Sequence, residues 1–254
     1  MHLFNNYYKR VLITGGAGFI GGALIRKLLK ETDSVIYNLD KMGYASSLKS
    51  INNEIKIIGD KGINRHIHMK VDISKSNEIN QAIKIIDPDL IFHLAAESHV
   101  DRSIKNPYHF INSNIVGTFR LLESTLMHWE KLPTLRKNRF KLIHISTDEV
   151  FGSLSGNSKF NERTSYQPRS PYSASKASSD HLAKAWYFTY GLPVIVTNCS
   201  NNYGPWQYPE KLIPVIIKKA LKEEKIPIYG DGSNIRDWIY VEDHIAAILK
   251  ILEK

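Results

Sequence analysis

Apolar runs and amphipathic runs alternate along this chain. Arg10–Thr14 (RVLIT) is a compact, largely apolar run, Phe19–Lys30 carries apolar residues at helical spacing, and Val35–Leu39 returns to a strand-like run. The same alternation predicts strands over His66–Val71, Leu90–Leu94, Lys141–Ser146 and Val194–Cys199. It predicts helices over Asn77–Ile86, Pro107 to about Trp129, and Tyr172–Tyr190, with Asp87-Pro88 ending the first of these. Gly152–Arg169, rich in Ser, Gly and Asn, reads as a loop. Strands this uniformly apolar need helices on both faces, which implies an α/β fold with a doubly wound parallel sheet. The tail is less regular: a helix over Lys211–Glu224, a short strand over Ile226–Tyr229 and a helix over Val241–Leu252.

Chemistry enters at the first strand-to-helix turn, Gly15-Gly16-Ala17-Gly18-Phe19-Ile20-Gly21. Glycines at this G-x-x-G-x-x-G spacing let the turn tighten and the backbone approach a pyrophosphate, and the helix amides that follow favour negative charge. Asp40, at the end of the next strand, suits the ribose hydroxyls and repels a 2′-phosphate. The expectation is a Rossmann-type, NAD-binding domain. Asp72, after the third strand, fits either the adenine edge or a plain helix cap.

Composition narrows the classes. Scaling by size gives a folded surface of about 11,000 Å², enough burial for a full core. One cysteine, Cys199, excludes a disulfide scaffold and suits a reducing compartment, so cytoplasm is the expected location. No run of about 18 apolar residues is present. The excess of 34 Lys+Arg over 25 Asp+Glu gives +9, but the basic residues are dispersed and no nucleic-acid module is visible. The ten histidines show no metal-ligand spacing, so no metal is expected.

Two further constellations carry chemistry. Tyr172 and Lys176, four apart on a predicted helix, share a face, and an ammonium beside a phenol is expected to lower its pKa and make it a base. At the end of the fifth strand, Ser146-Thr147-Asp148-Glu149-Val150-Phe151-Gly152 sets two carboxylates side by side where ligands of such sheets bind. They read either as a solvated turn with a cap or as an acid and a base whose pKa values are pushed apart.

Together with His93–Asp101, Asn198–Gly204, Pro227–Gly230 and Arg236-Asp237-Trp238, these motifs resemble the dTDP-glucose 4,6-dehydratase family of extended short-chain dehydrogenases, from Val11 to the end of the chain. Thr147-Asp148-Glu149 is the specific part. The resemblance implies a lyase that takes dTDP-glucose to dTDP-4-keto-6-deoxyglucose with bound NAD, in deoxysugar (rhamnose-type) biosynthesis. Tyr172 would take the 4-hydroxyl proton, Thr147 would bond the developing 4-oxygen, Glu149 would remove the C5 proton and Asp148 would protonate the departing C6 hydroxyl. Lys176 would also hold the nicotinamide ribose. For NAD the resemblance implies Gly15, Gly18, Phe19, Ile20, Gly21, Asp40, Lys41, Asp72, Ile73, Leu94, Ala95, Ala96, Glu97, Ser113 and Asn202, with Tyr172 and Lys176. For the nucleotide-sugar it implies Ser98, Thr147, Asn201, Lys211, Leu212, Pro227, Ile228, Tyr229 and Arg236, the last on the diphosphate.

The resemblance also implies residues 1–198 as the NAD-binding domain and 199–254 as part of a small, incomplete C-terminal substrate-binding domain, with about 235–254 packing back on the first. It implies a homodimer across the helices at Pro107–Trp129 and Tyr172–Tyr190. Family chains continue past this one, so a missing C-terminal part is expected. Another nucleotide-sugar dehydratase, an epimerase or decarboxylase, or an NAD-binding protein without turnover are the alternatives.

Overall fold

The computed structural model describes residues 2–154, 158–228 and 231–253. Six parallel strands form the central sheet: β1 Arg10–Thr14, β2 Val35–Leu39, β3 His66–Met69, β4 Leu90–His93, β5 Lys141–Thr147 and β6 Val194–Cys199. Their order is β3-β2-β1-β4-β5-β6. The order reverses between β1 and β4, and in such sheets that is where the ligand crevice opens. The registers Thr14↔Leu39 and Thr14↔His93 bring three strand ends to that point.

Two cores hold the sheet. On one face Val11, Ile13, Ile36 and Phe92 pack with Leu24, Ile25 and Leu28 of the helix Phe19–Glu31 and with Val241, Ile245 and Ile248 of the helix Val241–Ile251. On the other, Leu12, Leu39, Ile91 and Leu142 pack with Ile79, Ile83 and Ile86 of the helix Ser76–Ile86 and with Leu121 and Leu122 of the helix Gly117–Glu130. The last helix therefore shares the core of the first crossover.

The stretch expected to be one long helix from Pro107 is interrupted. Pro107–Phe110 and Gly117–Glu130 are α-helical, and Ile111–Val116 between them is a π-helical segment. Gly117 sits where any Cβ would lie 2.8 Å from Ile73 Cγ1, so close packing of helix on loop explains the glycine. β3 ends at Met69, two residues short of the predicted Val71. The expected strand at Ile226–Tyr229 is not found: residues 226–228 carry no regular structure, and Tyr229 lies outside the described residues. The pairing that does form is Asn201–Tyr203 (β7) with Trp238–Tyr240 (β8), too short to show a period-2 pattern.

The surface is 14,045 Å², above the value expected from size. Part of the excess is apolar and lies beyond β7, where Leu221, Ile228 and Ile235 are exposed. No described helix is long and apolar enough to cross a membrane.

Candidate active site

The turn after β1 is built for a close approach. Gly15 has φ +74°, and a Cβ there would lie 2.6 Å from the Ala95 nitrogen, so the turn touches the chain leaving β4. The helix Phe19–Glu31 begins at Gly18 with no side-chain cap. Its first amides are open to an anion, which the helix dipole favours. Uncapped amides beside a glycine cradle fit the pyrophosphate of a dinucleotide.

Asp40 is buried and ties this turn to the loop after β2. Its Oδ2 accepts from Ala17 N at 3.0 Å, and its Oδ1 accepts from Met42 N and Ser46 Oγ, both at 2.8 Å. A carboxylate has about four acceptor positions, so one remains for a ribose hydroxyl. Asp72 does not cap the following helix, which starts after Lys75 with no side-chain cap; it closes a local turn instead, where Ser74 N and Oγ donate to its Oδ1 at 3.0 and 2.8 Å. It lines the cleft, where the adenine-edge reading puts it.

A cleft of ≈ 1340 Å³ runs along the carboxyl ends of the strands. Its cofactor-side wall contains Gly15, Gly18, Phe19, Ile20, Gly21, Asp40, Lys41, Asp72, Ile73, Leu94, Ala95, Ala96, Glu97 and Ser113. Its other wall contains Ser98, Thr147, Glu149, Tyr172, Lys176, Asn201, Asn202, Lys211, Leu212, Pro227 and Arg236. Two expected residues are not on it. Ile228 is 75% exposed and outside the lining, because its segment forms no strand to aim it inward. Asp148 is absent from the lining, although its neighbours Thr147 and Glu149 are both on it.

Tyr172 and Lys176 lie in the first turns of the helix Pro171–Tyr190, started by a capping box between Ser170 and Ser173 with Pro171 at the first position. Both side chains are buried. The Lys176 ammonium donates to the Ile145 carbonyl at 2.9 Å. The expected lowering of the phenol pKa does not occur here. Burial first, then the negative charge of Glu149, push Tyr172 above its ordinary value, and the Thr147 hydroxyl opposes them. The lysine, itself lowered by burial, is spent on the strand.

Thr147 ends β5 and caps the 3₁₀ turn Asp148–Phe151. Its Oγ1 accepts from Glu149 N and donates to Asp148 Oδ1, both at 3.3 Å. Burial raises both acids. Glu149 is raised further by Asp148, while Arg236 pulls both down and Lys211 pulls down Glu149. Lys211 reaches the Ser98 carbonyl at 3.3 Å. Cys199 borders the same space with its thiol pushed up to about 11, mainly by burial, and so stays neutral.

Asp180 is the supporting residue that sequence reading missed. It is fully buried and accepts from His144 Nε2 (3.0 Å), Ser146 Oγ (2.8 Å), Tyr166 OH (3.0 Å) and Asn198 Nδ2 (3.3 Å). These donors come from β5, β6 and the loop before the helix, so one carboxylate knits together the elements under Thr147. Asn198 also donates to the Thr147 carbonyl at 3.1 Å. The available signal was the spacing of Asp180, four beyond Lys176 and on the same helix face. Asn114, in the π-helical segment, was missed as well. It accepts from Glu97 N at 2.8 Å and donates to Ser175 Oγ at 2.8 Å, holding the loop after β4 against the catalytic helix.

Among the described residues no group of three or more His, Cys, Asp or Glu is arranged to hold a metal.

Comparison with known proteins agrees with this geometry. A family model described as GDP-mannose 4,6 dehydratase matches residues 12–254. The chain is 49% identical over 245 residues to a dTDP-glucose 4,6-dehydratase of Neisseria meningitidis serogroup B, covering 96% of this chain and 67% of that protein. It is 52% identical over 248 residues to the Salmonella typhimurium enzyme of the same name, covering 94% and 67%. A dTDP-glucose 4,6-dehydratase structure from Streptomyces venezuelae, with NAD and dTDP bound, superposes with a TM-score of 0.85 at 37% identity, covering 96% of this chain and 72% of that one. The chain thus spans about two thirds of the length of these relatives.

Proposed function

The chain belongs to the dTDP-glucose 4,6-dehydratase family, and from that premise we propose how its own residues carry the reaction. The activity is an NAD-dependent lyase reaction, the conversion of dTDP-glucose to dTDP-4-keto-6-deoxyglucose. The cradle at Gly15, Gly18 and Gly21, with Asp40 and Lys41 beside it, fits the adenosine and pyrophosphate of NAD. When bound there, NAD would supply the hydride acceptor for C4 and the donor for C6.

Tyr172 takes the proton of the 4-hydroxyl. Burial first, and then the Glu149 charge, hold the phenol neutral, so the positive ring of a bound nicotinamide would supply what draws it toward the phenolate. Thr147 bonds the 4-oxygen as the ketone forms. The ketone acidifies C5, and Glu149, on the cleft wall, removes that proton. Asp148, its carboxyl kept easy to protonate by burial, donates to the departing C6 hydroxyl. Arg236 and Lys211 line the end of the cleft that suits a diphosphate. Ser98, Asn201, Leu212 and Pro227 shape that end, and residues 199–254 serve as the substrate-side unit.

The observation that carries this reading is the adjacency of Thr147, Asp148 and Glu149 to Tyr172 and Lys176. An epimerase needs only the last pair and a hydroxyl. Incubation with dTDP-glucose and NAD, followed by mass spectrometry of the sugar nucleotide, is expected to reveal loss of one water with no net NADH. An unchanged sugar nucleotide on a chain that holds NAD sinks the reading.

We also propose a homodimer across the helices Gly117–Glu130 and Pro171–Tyr190. Tyr187 (50%) and Phe188 (80%) are exposed on the second of these, and Tyr108 (68%) on the segment leading to the first. Light scattering at twice the chain mass supports the dimer, and monomer mass removes it. The reducing cytoplasm is the compartment that fits one neutral thiol, Cys199.

A further inference from the structure

Lys176 and Asp180 stand four apart on the helix Pro171–Tyr190, so their side chains leave one face as neighbours. Both reach the same short stretch of β5. The Asp180 carboxylate accepts from His144 Nε2 at 3.0 Å on one oxygen and from Ser146 Oγ at 2.8 Å on the other. The Lys176 ammonium donates at 2.9 Å to the carbonyl of Ile145, the residue between them. The acid therefore grips the strand on either side of the point where the lysine is fixed. Its second oxygen also accepts from Asn198 Nδ2 at 3.3 Å, and that amide donates to the Thr147 carbonyl at 3.1 Å. Ser146 and Asn198 are partners in the β5–β6 register, so the grip extends to the next strand.

We propose that Asp180 is a positioning residue for NAD binding and turnover: it sets the lie of the catalytic helix along β5 and is the buried counter-charge of the Lys176 ammonium. The role rests on the NAD-dependent reading above, in which Lys176 holds the nicotinamide ribose. An ammonium has three donors. Ile145 takes one and aims the head, which leaves two for the paired ribose hydroxyls, and Lys176 lines the cleft where they would lie. A helix free to slide along β5 would carry Lys176 and Tyr172 with it, out of register with Thr147.

Charge makes the same link. Lys176 is 5% exposed and Asp180 0%, and a charge this buried is costly unless another balances it. The ionisable groups around the ammonium are Tyr172 and Asp180 on its own helix, His93 on β4, His144 on β5, Cys199 on β6 and Glu149 on the turn after β5. Burial pushes the two imidazoles down and the phenol and thiol up, so all four are neutral near neutral pH. The bonding of His144 agrees: its Nε2 hydrogen is given to Asp180, and Nδ1 is buried with no partner among the described residues. Burial and Asp148 raise Glu149, and Arg236 and Lys211 answer it. Of these groups only Asp180 is held below its ordinary value: burial pushes it up, but the bonds from His144 and Ser146 and the charge of Lys176 outweigh that.

The test is a double-mutant cycle on the full chain, read by isothermal titration with NAD. Asp180→Asn keeps the shape and removes the charge; Lys176→Met removes the group through which Asp180 acts. Asp180→Asn alone is expected to weaken NAD binding by on the order of 10-fold, and by less than about twofold in the Lys176→Met background. Without its counter-charge the ammonium gives up its proton at lower pH, so the loss is expected to grow from about pH 6 to about pH 9. Equal weakening in both backgrounds means that Asp180 only holds the fold, and it overturns the role. Ser146→Ala, which releases one grip and leaves the carboxylate, decides the matter if Asp180→Asn does not fold. A loss of about threefold that vanishes with Lys176→Met supports positioning, and an affinity equal to the parent's overturns it. Affinity is read without turnover. A chain that shows the coupled cycle yet never dehydrates dTDP-glucose therefore keeps the role of Asp180 and loses only the dehydratase reading.

Discussion

The Tyr44 hydroxyl donates to Glu210 Oε1 at 2.8 Å, joining residues 166 positions apart across the mouth of the cleft. Tyr44 stands on the loop after β2, on the cofactor side, and Glu210 leads into the helix Leu212–Ala220, on the other. The Arg102 guanidinium lies 3.6 Å over the Tyr44 ring and 3.4 Å from Glu210 Oε2, and the Tyr208 ring meets Tyr44 edge-on. On the cofactor-side wall itself, Lys41 Nζ meets Glu97 Oε1 at 2.7 Å. These partly exposed contacts are each worth about 1 kcal/mol. Tyr44→Phe is therefore expected to release NAD about fivefold faster with little change in melting temperature. Dialysis of NAD-loaded protein measures this, and equal retention in variant and parent removes the tie from cofactor holding.

Burial raises the Asp148 carboxyl, so the folded chain binds that proton more tightly than the unfolded chain does. The associated stabilisation is fully present below the ordinary carboxyl range and is lost as pH rises through the folded value. Above that folded value the ionised group is consequently a cost carried for catalysis. Asp148→Asn is expected to raise the melting temperature at pH 7, by the ~0.5–2 kcal/mol typical of such trades, while abolishing dehydration. The gain should shrink as pH falls toward about 4. Melting curves across that range decide it, and a variant less stable than the parent at pH 7 contradicts the account.

Asp180 has the opposite sign. Hydrogen bonds from His144 and Ser146 and the positive charge of Lys176 outweigh its burial and hold its carboxyl below the ordinary value. Its contribution is present above the unfolded value, about 3.9, and is lost as pH falls through the lower folded one. Asp180→Ala strands four donors in a dry interior and is expected to cost about 3–5 kcal/mol. Asp180→Asn, which keeps the shape and loses the charge, should cost less. Tyr166→Phe removes only the donor nearest solvent and should cost about 1 kcal/mol. Urea melts that rank these variants in another order would show the hub misassigned.

That hub also marks the limit of what the sequence discloses. The glycine turn was legible because its reason is local: a left-handed backbone at Gly15 and an uncapped helix at Gly18 follow from neighbours in sequence. The central strands β1, β4 and β5 were legible because both of their faces are buried and their composition announces it. Asp180 was not, because an acid among serines on a polar helix reads as solvated until β5 and β6 are seen to cover it. The raised phenol of Tyr172 was illegible for a related reason: the i, i+4 lysine was visible, but the Ile145 carbonyl that occupies it comes from another element. The β7–β8 pair and the irregular run at 226–228 depend on tertiary contacts and not on local pattern.

Gly15 offers the most direct test of the cofactor cradle. Its φ of +74° strains any side chain, at roughly 1–3 kcal/mol. An added Cβ would also stand 2.6 Å from Ala95 N and 2.7 Å from Ala95 Cα, both backbone atoms that cannot rotate away. The turn after β1 and the chain leaving β4 would have to part, at a further cost of about 1–3 kcal/mol. They would part at the crevice between the two strands, where the amides of the Gly18 helix converge. Gly15→Ala is thus expected to lose NAD binding before it loses the fold. Gly43→Ala is the matched control on the loop after β2: only Lys41 Cε, 3.9 Å away and on a flexible side chain, comes near its Cβ. Isothermal titration with NAD should separate the two, with binding abolished in the first and retained in the second. Comparable affinity in both would mean that the cradle does not depend on the close approach of Gly15 to Ala95.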